Sequence, residues 1–307
     1  MLLDSASLYF RAFYGVPTSV TSPDGRPVNA VRGFLDMTAR LVTAHRPTRL
    51  VACWDDDWRP QFRVDALPSY KAHRVAPEGG EEAPDELAPQ VPVLVEVLAA
   101  AGLARVGAPG YEADDVIGTL ATRARGPVDV VTGDRDLFQL VDDARGVRVL
   151  YTARGIGDLE FVDDAAVRGR YGVPAAAYAD FAVLRGDPSD GLPGVAGVGA
   201  KTAAALITAF GTLAAIRAAA ARTVVPKAPL TAAVLKRLAA AGDYLDAAPE
   251  VVQVVTGIDL PPVDGELPAR PADPDALAAL AQVHGIGSSV RRLGAALGWA
   301  DDAVDLD

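Results

Sequence analysis

The stretch VDVVTGDRDLFQL, residues 128–140, decides the reading of the fold. An apolar run, VDVVTG (128–133), leads straight into Asp134 and Asp136, and in an extended segment a spacing of two points both side chains the same way. The same design recurs upstream, where MLLD (1–4) ends in Asp4 and LVACW (50–54) runs into Asp55; VRVLY (147–151) supplies a fourth candidate strand. Helical periodicity is expected over about 29–45, 87–102, 112–125 and 135–142, the third opening after Pro109-Gly110. Short apolar runs alternating with helices predict an α/β layer around a mostly parallel sheet. In such sheets the ligand crevice lies at the carboxyl ends of the strands, where these aspartates fall.

Outward from this core the pattern changes. YKAHRVAPEGGEEAPDELAP (70–89) has no periodicity and is rich in proline, glycine and glutamate, which reads as a mobile loop or partly helical lid. From about 172 the chain becomes helical, with segments expected near 175–185, 200–210, 212–221 and 229–242 and a strand at VVQVVT (251–256). A linker-like PPVDGELPARPADP (261–274) precedes a last helical pair, 275–283 and 288–297. The expected division is therefore 1–172, with a lid at about 70–89, and 173–307. No internal repeat is visible.

Acidic residues gather at the predicted ends of these elements. Glu112, Asp114 and Asp115 open a helix in YEADDVIGTL; one turn's spacing puts Glu112 and Asp115 on one face and turns Asp114 away unless the first turn is irregular. Acids at a helix start also favour the helix dipole, but three in four residues exceeds that need, and like charges this close repel. Asp187 and Asp190 stand one helical turn apart in GDPSDG. With Asp4, Asp55, Asp134 and Asp136 this makes nine carboxylates expected on one rim, with none of the three histidines among them. Oxygen-only ligation selects magnesium or manganese over zinc. Nine acids suit two ions, roughly 3.5–4 Å apart, which activate an attacking water and stabilise the leaving oxygen in phosphodiester hydrolysis.

Other chemistries fit poorly. A single cysteine, Cys53, excludes an internal disulfide and a thiolate zinc cage. Asp4 is followed by Ser5 and Ala6, not by the second aspartate of an aspartyl phosphatase, and GVAGVGAK (194–201) has Ala200 where a P-loop needs the glycine directly before lysine. No run approaches the roughly 18 apolar residues of a membrane span, and the start lacks a signal-peptide pattern, so a cytoplasmic location is expected. The net charge of −11 argues against a nucleic-acid partner unless many acids are neutralised by cations in one pocket. The turn Gly197-Val198-Gly199 before a helix at Ala200, with Lys201 beside it, is either a structural helix–turn–helix or a site for a phosphate.

Six motifs in order, MLLDSASLYFRAFYG, TSPDGRPVNAVRGF, SYKAHR, PGYEADDVIGTLA, VVTGDRDLFQLV and LRGDPSDGLPGVAGVGAKTA, strongly resemble the bacterial 5′-nuclease family. That family includes the flap endonuclease or 5′–3′ exonuclease domain fused to DNA polymerase I, and with no polymerase following, a stand-alone form is expected. The resemblance implies a resolvase-like (PIN-like) α/β catalytic domain with a twisted, mostly parallel sheet and flanking helices, then a helix-hairpin-helix region gripping duplex DNA. It implies a two-metal site of Asp4, Asp55, Glu112, Asp114, Asp115, Asp134, Asp136, Asp187 and Asp190. Asp55 is preferred to Asp56 and Asp57 because it directly ends the apolar run, with Asp57 second. Lys71 and Arg74 match basic residues at the foot of a helical arch that contact the scissile phosphate, and Arg11 matches another active-site cation. Gly194, Gly197, Gly199, Lys201 and Thr202 match the DNA-gripping turn, with potassium held by carbonyls near Val195 and Val198, and Pro17 to Val28 matches a loop that wedges against the duplex end. The implied substrates are branched or nicked duplexes with 5′ flaps and RNA primer–DNA hybrids, handled by a monomer at the nucleoid. The rival readings are a non-catalytic DNA-structure-binding protein and an RNA nuclease of PIN-like fold.

Overall fold

The computed structural model describes residues 1–77, 79–223 and 225–306. Glu78, in the expected lid, and Val224 and Asp307, in the expected helical region, lie outside the described residues. Among the described residues six strands make one sheet: β1 (Leu2–Asp4), β2 (Val51–Cys53), β3 (Ala104–Val106), β4 (Val128–Thr132), β5 (Val147–Tyr151) and β6 (Glu160–Val162), in the order β3-β2-β1-β4-β5-β6. All pairings are parallel except β5 with β6. Strand order reverses between β1 and β4, so their carboxyl ends splay into a crevice with Asp4 on one lip and Asp134 beside the other.

The pleat explains why the central strands are mainly apolar, with half-buried Asp129 of β4 and exposed Arg148 of β5 as the charged exceptions. Leu2, Val51, Cys53, Val130 and Val149 enter the core on one face, while Leu3, Ala52, Val131 and Leu150 enter the core on the other. α1 (Ser5–Gly15) leaves β1 directly, with Asp4 as its N-cap accepting from Ser7 N at 3.1 Å. α2 (Asn29–His45) buries Val31, Phe34, Leu35, Thr38, Leu41 and Val42, one stripe at helical spacing. α3 (Gln61–Ala66), α4 (Gln90–Ala101), α5 (Ala113–Arg123) and α6 (Asp164–Tyr171) complete the layers around the sheet. The helical region follows as α7 (Tyr178–Arg185), α8 (Ala200–Phe210), α9 (Leu213–Arg222), α10 (Ala232–Ala240) and α11 (Gly242–Val252). Then α12 (Pro274–His284) packs on α4 and α13 (Gly287–Leu297) on α2, so Leu277, Ile286, Val290 and Leu293 join the core of the sheet's α1–α2 face. Among the described residues no single helix is long and apolar enough to cross a membrane; α8 and α9 reach the length only together and meet at 83°.

Two expected elements differ in kind. VVQVVT (251–256) is not a strand: α11 runs to Val252, and the extended residues beyond it find side chains instead of a ladder, Val254 N donating to Gln139 and Val255 N to Asp115. The helix expected at 135–142 is a 3-10 turn, Asp136–Leu140, closed by Phe138 N donating to Arg135 O at 2.9 Å and Val141 N to Phe138 O at 3.2 Å. Among its described residues the lid stretch is partly helical at its foot and then turns back on itself. Its foot, Ala72–Arg74, is a 3-10 turn, and a tight hairpin follows in which Val75 bridges Glu81 and Glu82 N donates to Arg74 O at 2.7 Å. Between the helix expected at 229–242 and residues 251–256 the structure adds α11, which starts at Gly242 after α10 ends.

Candidate active site

A cleft of about 240 Å³ opens at the crevice and is lined by Asp4, Asp55, Glu112, Asp114 and Asp134, together with Lys71, Arg74 and Glu81. A larger groove of about 1100 Å³, between Met1, Arg123 and Arg148, lies at the amino ends of the strands and touches none of the candidate residues. Asp4 is held by Thr132 Oγ1, which donates at 2.6 Å, and Asp55 by Ala113 N at 2.7 Å. Burial pushes Asp4 up to about 6 and Asp55 up to about 7, and neighbouring carboxylates add to both shifts. Asp56 turns instead to Arg105 at 3.3 Å, and Asp57 accepts from Arg59 N at 3.1 Å, so of the three adjacent aspartates only Asp55 faces the cleft.

Glu112 and Asp115 do share one side of the α5 start, both meeting Arg63, but the first turn is irregular and it is Asp114 that lines the cleft with Glu112. Glu112 is the N-cap and sits in extended backbone, φ −85° and ψ 163°, so its side chain does not follow the helical face. Asp114 therefore reaches the cleft, where burial and then Asp134 and Asp4 raise its pKa well above the carboxylate range. Asp115 points away and is fully buried against Arg63, whose Nη2 donates to Oδ1 at 2.6 Å and Nη1 to Oδ2 at 2.7 Å. Its remaining acceptor positions take Val255 N at 2.8 Å and Glu112 N at 3.2 Å. A carboxylate has about four acceptor positions, and those of Asp115 are filled, so this structure does not bring it to the expected metal site. Arg63 was not singled out from the sequence, and no spacing rule links it to acids about fifty residues downstream.

Asp136, Asp187 and Asp190 form the other end of the acidic edge. Asp136 Oδ1 is buried with no hydrogen-bond partner, and burial, then Asp134, Asp190 and Asp187, raises its pKa well above the usual range. Asp187 caps the Pro188–Asp190 turn through Ser189 N at 3.0 Å and faces Arg185 at 3.2 Å and Arg135 at 3.7 Å. Asp190 pairs with Arg74 at 2.8 Å, and burial raises its pKa. Among the described residues no three of these side chains already meet in a ready-made cage. The donor set nevertheless fits hard cations: all-oxygen, desolvated, mutually repelling, and with an orphaned buried oxygen on Asp136.

Three cations stand where the acids converge. Lys71 donates through Nζ to Glu112 Oε1 and has a left-handed backbone, φ 46°. Its amide donates to Asp190 O at 3.0 Å, while Ser69 Oγ donates to Gly191 O at 2.9 Å, so the foot of the lid is docked on the turn that carries Asp190. The Arg11 guanidinium lies against Gly133, where Nη2 would come within 3.6 Å of an added Cβ, and its buried Nε has no partner. Farther along, Gly194 (φ 67°) presses on the backbone of Arg185 and Gly186, and a Cβ there would come within 2.5 Å. Gly199 caps α8 without a side-chain bond, leaving the helix start open beside the exposed Lys201 and half-buried Thr202. The Val195 carbonyl accepts from Val198 N at 2.8 Å, and Arg237 Nη1 donates to Gly197 O at 3.0 Å. In the Pro17–Val28 stretch, Thr21 bridges Pro27 in a small hairpin, next to Tyr14, which is 73% exposed.

The class this architecture defines is the resolvase-like nuclease core with an appended helical domain. The family model for the 5′–3′ exonuclease N-terminal resolvase-like domain matches residues 1–172, and that for the 5′–3′ exonuclease C-terminal SAM fold matches 173–275. The chain belongs to the 5′–3′ exonuclease family. It is 62% identical over 298 residues to a 5′–3′ exonuclease of Streptomyces coelicolor, covering 95% of this chain and 98% of that one. DNA polymerase I of Mycobacterium bovis is 46% identical over 217 residues, 69% of this chain and 23% of the polymerase. A bacteriophage T5 flap endonuclease, solved as a pseudo-enzyme–product complex with DNA and metal ions, shares the fold at a TM-score of 0.62 and 18% identity, over 97% of this chain and 98% of that one. The family read from the six motifs and its resolvase-like architecture are thus both found.

Proposed function

We propose that the protein is a divalent-metal-dependent, structure-specific 5′ nuclease that hydrolyses DNA phosphodiesters at 5′ flaps, nicks and gaps, and removes RNA primers during replication and repair. The observation that carries this reading is the acidic cleft at the strand-order switch, lined also by Lys71 and Arg74, with Arg11 against its Gly133 wall. Asp4, Asp55, Glu112, Asp114 and Asp134 would hold one magnesium or manganese ion, and Asp136, Asp187 and Asp190 with Asp134 a second. Bound there, the ions supply the positive charge that activates a water and stabilises the leaving oxygen. Lys71 and Arg74 orient the scissile phosphate, exchanging their present carboxylate partners, Glu112 and Asp190, for phosphate oxygens. Arg11 adds a third positive group beside Asp134.

The open start of α8, with Gly194, Gly197, Gly199, Lys201 and Thr202, grips the duplex backbone; phosphate contacts position without reading bases, so selection is for shape. A potassium ion on the Val195 and Val198 carbonyls belongs to the same grip. Residues 1–172 with their lid, covered by α12 and α13, form the catalytic unit and the preceding part of 173–307 the DNA-binding unit, in a monomer working in the cytoplasm at the nucleoid.

The test is single-turnover cleavage of a labelled 5′-flap duplex with magnesium, manganese or EDTA, mapping the product ends. Metal-dependent cutting near the junction, leaving a 3′-hydroxyl and a 5′-phosphate, is expected. Asp134→Ala should abolish it while flap binding stays measurable. Tight flap binding with no turnover in any divalent metal would sink the nuclease reading in favour of a DNA-structure-binding protein. Faster cutting of single-stranded RNA than of the flap would favour an RNA nuclease.

A further inference from the structure

Beneath the acidic cleft lies a second, fully buried ionic group. Arg63 on α3 is 2% exposed, and its guanidinium spends every donor on a fixed partner. Nη1 donates to Glu112 Oε2 at 2.6 Å and to Asp115 Oδ2 at 2.7 Å, Nη2 to Asp115 Oδ1 at 2.6 Å, and Nε to Val251 O at 3.0 Å. The last N–H, on Nη2, faces Gln253 O at 3.5 Å, at the edge of hydrogen-bond range. Glu112 is thereby divided into two unlike oxygens. Oε2 is clamped from below by Arg63 and by the Tyr70 hydroxyl at 2.7 Å, whereas Oε1 is presented to the cleft, where it meets Lys71.

We propose that Arg63, anchored by Asp115, is a positioning residue that holds Glu112 in register with the other cleft carboxylates and ties that register to the segment 251–255 at the end of α11. This rests on the nuclease reading of the cleft and adds to it a residue that touches neither substrate nor cation. Asp115 acts through Arg63, as the fourfold occupation of its carboxylate requires. The segment 251–255 contributes the Val251 and Gln253 carbonyls and the Val255 amide, so the same bonds fasten the helical region to the floor of the cleft. A lysine at position 63 keeps the charge but has one head in place of a planar fork, and cannot serve Glu112, Asp115 and Val251 together. Groups that orient ligands in this way usually govern metal affinity or activity by roughly 10–100-fold.

A buried ion pair is also a structural element, so the test must separate holding the fold from holding Glu112. Replacing Arg63 and Asp115 together by apolar residues of similar volume leaves no buried charge unpaired between them, and Glu112 keeps Lys71 and the Tyr70 hydroxyl. The double variant Arg63→Met/Asp115→Leu is therefore compared with Arg63→Lys and the intact protein by thermal unfolding, calorimetric titration with manganese alone, flap binding, and single-turnover cleavage across magnesium concentrations. The expected result is near-native flap binding, manganese affinity lowered by about 10-fold or more, and a matching rise in the magnesium needed for half-maximal cleavage. Should the double variant fail to fold, Arg63→Lys carries the same expectation, and Tyr70→Phe, which removes only the second clamp on Oε2, should show a smaller shift in the same direction. Native manganese affinity and magnesium dependence in folded variants would overturn the positioning role. Absence of cleavage by the intact protein would instead overturn the nuclease reading.

Discussion

Gly191→Ala probes the dock between the lid and the Asp190 turn. Gly191 has φ 74°, and a Cβ there would come within 2.2 Å of Ser69 O, 3.1 Å of Ser69 C and 3.5 Å of Lys71 N. A relaxed carbon–oxygen contact is about 3.3 Å, so one strand of this contact must move by about 1 Å. The first obstacle is backbone, which cannot rotate away as a side-chain tip would. The movement breaks the Ser69 Oγ bond to Gly191 O and the Lys71 amide bond to Asp190 O, each contributing roughly 0.5–1.5 kcal/mol. A left-handed alanine costs about 1–2 kcal/mol more. Because Lys71 itself is displaced, and a misplacement of about 1 Å can cost on the order of 100-fold in rate, single-turnover flap cleavage should fall by about that factor, or about 2.7 kcal/mol on the barrier. Gly211→Ala is the control: φ is 85°, but nothing lies within 4 Å of its Cβ, so it should lose stability through strain alone and keep its rate. Cleavage by Gly191→Ala at the rate of Gly211→Ala would refute the claim that this contact places Lys71.

Two further outcomes follow from the electrostatics of the cleft. Burial raises Asp55 to about 7 and Asp4 to about 6, against about 3.9 in an unfolded chain. Both bind protons more tightly when folded, so their contribution favours the folded state at acid pH and is lost as pH rises from about 4 to about 7. In chelator-containing buffer the thermal midpoint should therefore be lower near pH 8 than near pH 5, with magnesium reversing the drop and Asp55→Asn flattening it; an Asp55→Asn profile parallel to the native one would contradict the assignment. Glu81 on the lid hairpin lines the cleft opposite Glu112, close enough for Lys71 and Arg74 to act on its charge, and so competes with phosphate for them. Glu81→Gln should tighten flap binding by about 2–5-fold, as expected for roughly 0.5–1 kcal/mol of partly screened charge, in a titration at low salt; unchanged affinity would remove Glu81 from that role.

The parts of the fold visible in the sequence are those where one physical demand dominates. β1 and β2 are fully buried and β4 and β5 nearly so, with Asp129 and Arg148 as the one charged position in each, so all four appear as mainly apolar runs with a polar stop. β3 and β6 are three-residue edge strands with exposed positions, and nothing in ARV or EFV distinguishes them from loop. α1 was hidden by its own function: Asp4, which ends β1 in the cleft, is also the cap that starts the helix, so one residue marks two elements with no turn between them. The last two helices were visible as periodic segments, but not their return to α2 and α4, because apolar spacing shows that a helix has a buried face without saying what covers it.

The acidic edge was legible as a set but not in its division of labour, and Asp114 and Asp115 show why. They are adjacent, chemically identical, and equally compatible with a helix start. A regular helix would turn Asp115 toward the cleft with Glu112 and send Asp114 away. The extended backbone of the cap at Glu112 uncouples that residue from the helical face. Which aspartate is then drawn into the protein depends on an arginine separated from Asp115 by 52 positions and on an amide separated from it by 140. Neither distance belongs to any local period. The decision is tertiary: a fork-shaped cation with a fixed floor beneath it takes the carboxylate that can satisfy both its nitrogens, and the neighbour is left facing Asp4 and Asp134, where repulsion is relieved by a proton or a cation. If that ordering is right, Asp115→Asn and Asp114→Asn should differ in kind, the first loosening the floor and shifting the thermal midpoint, the second leaving the midpoint unchanged or raised in chelator-containing buffer while abolishing metal-dependent cleavage.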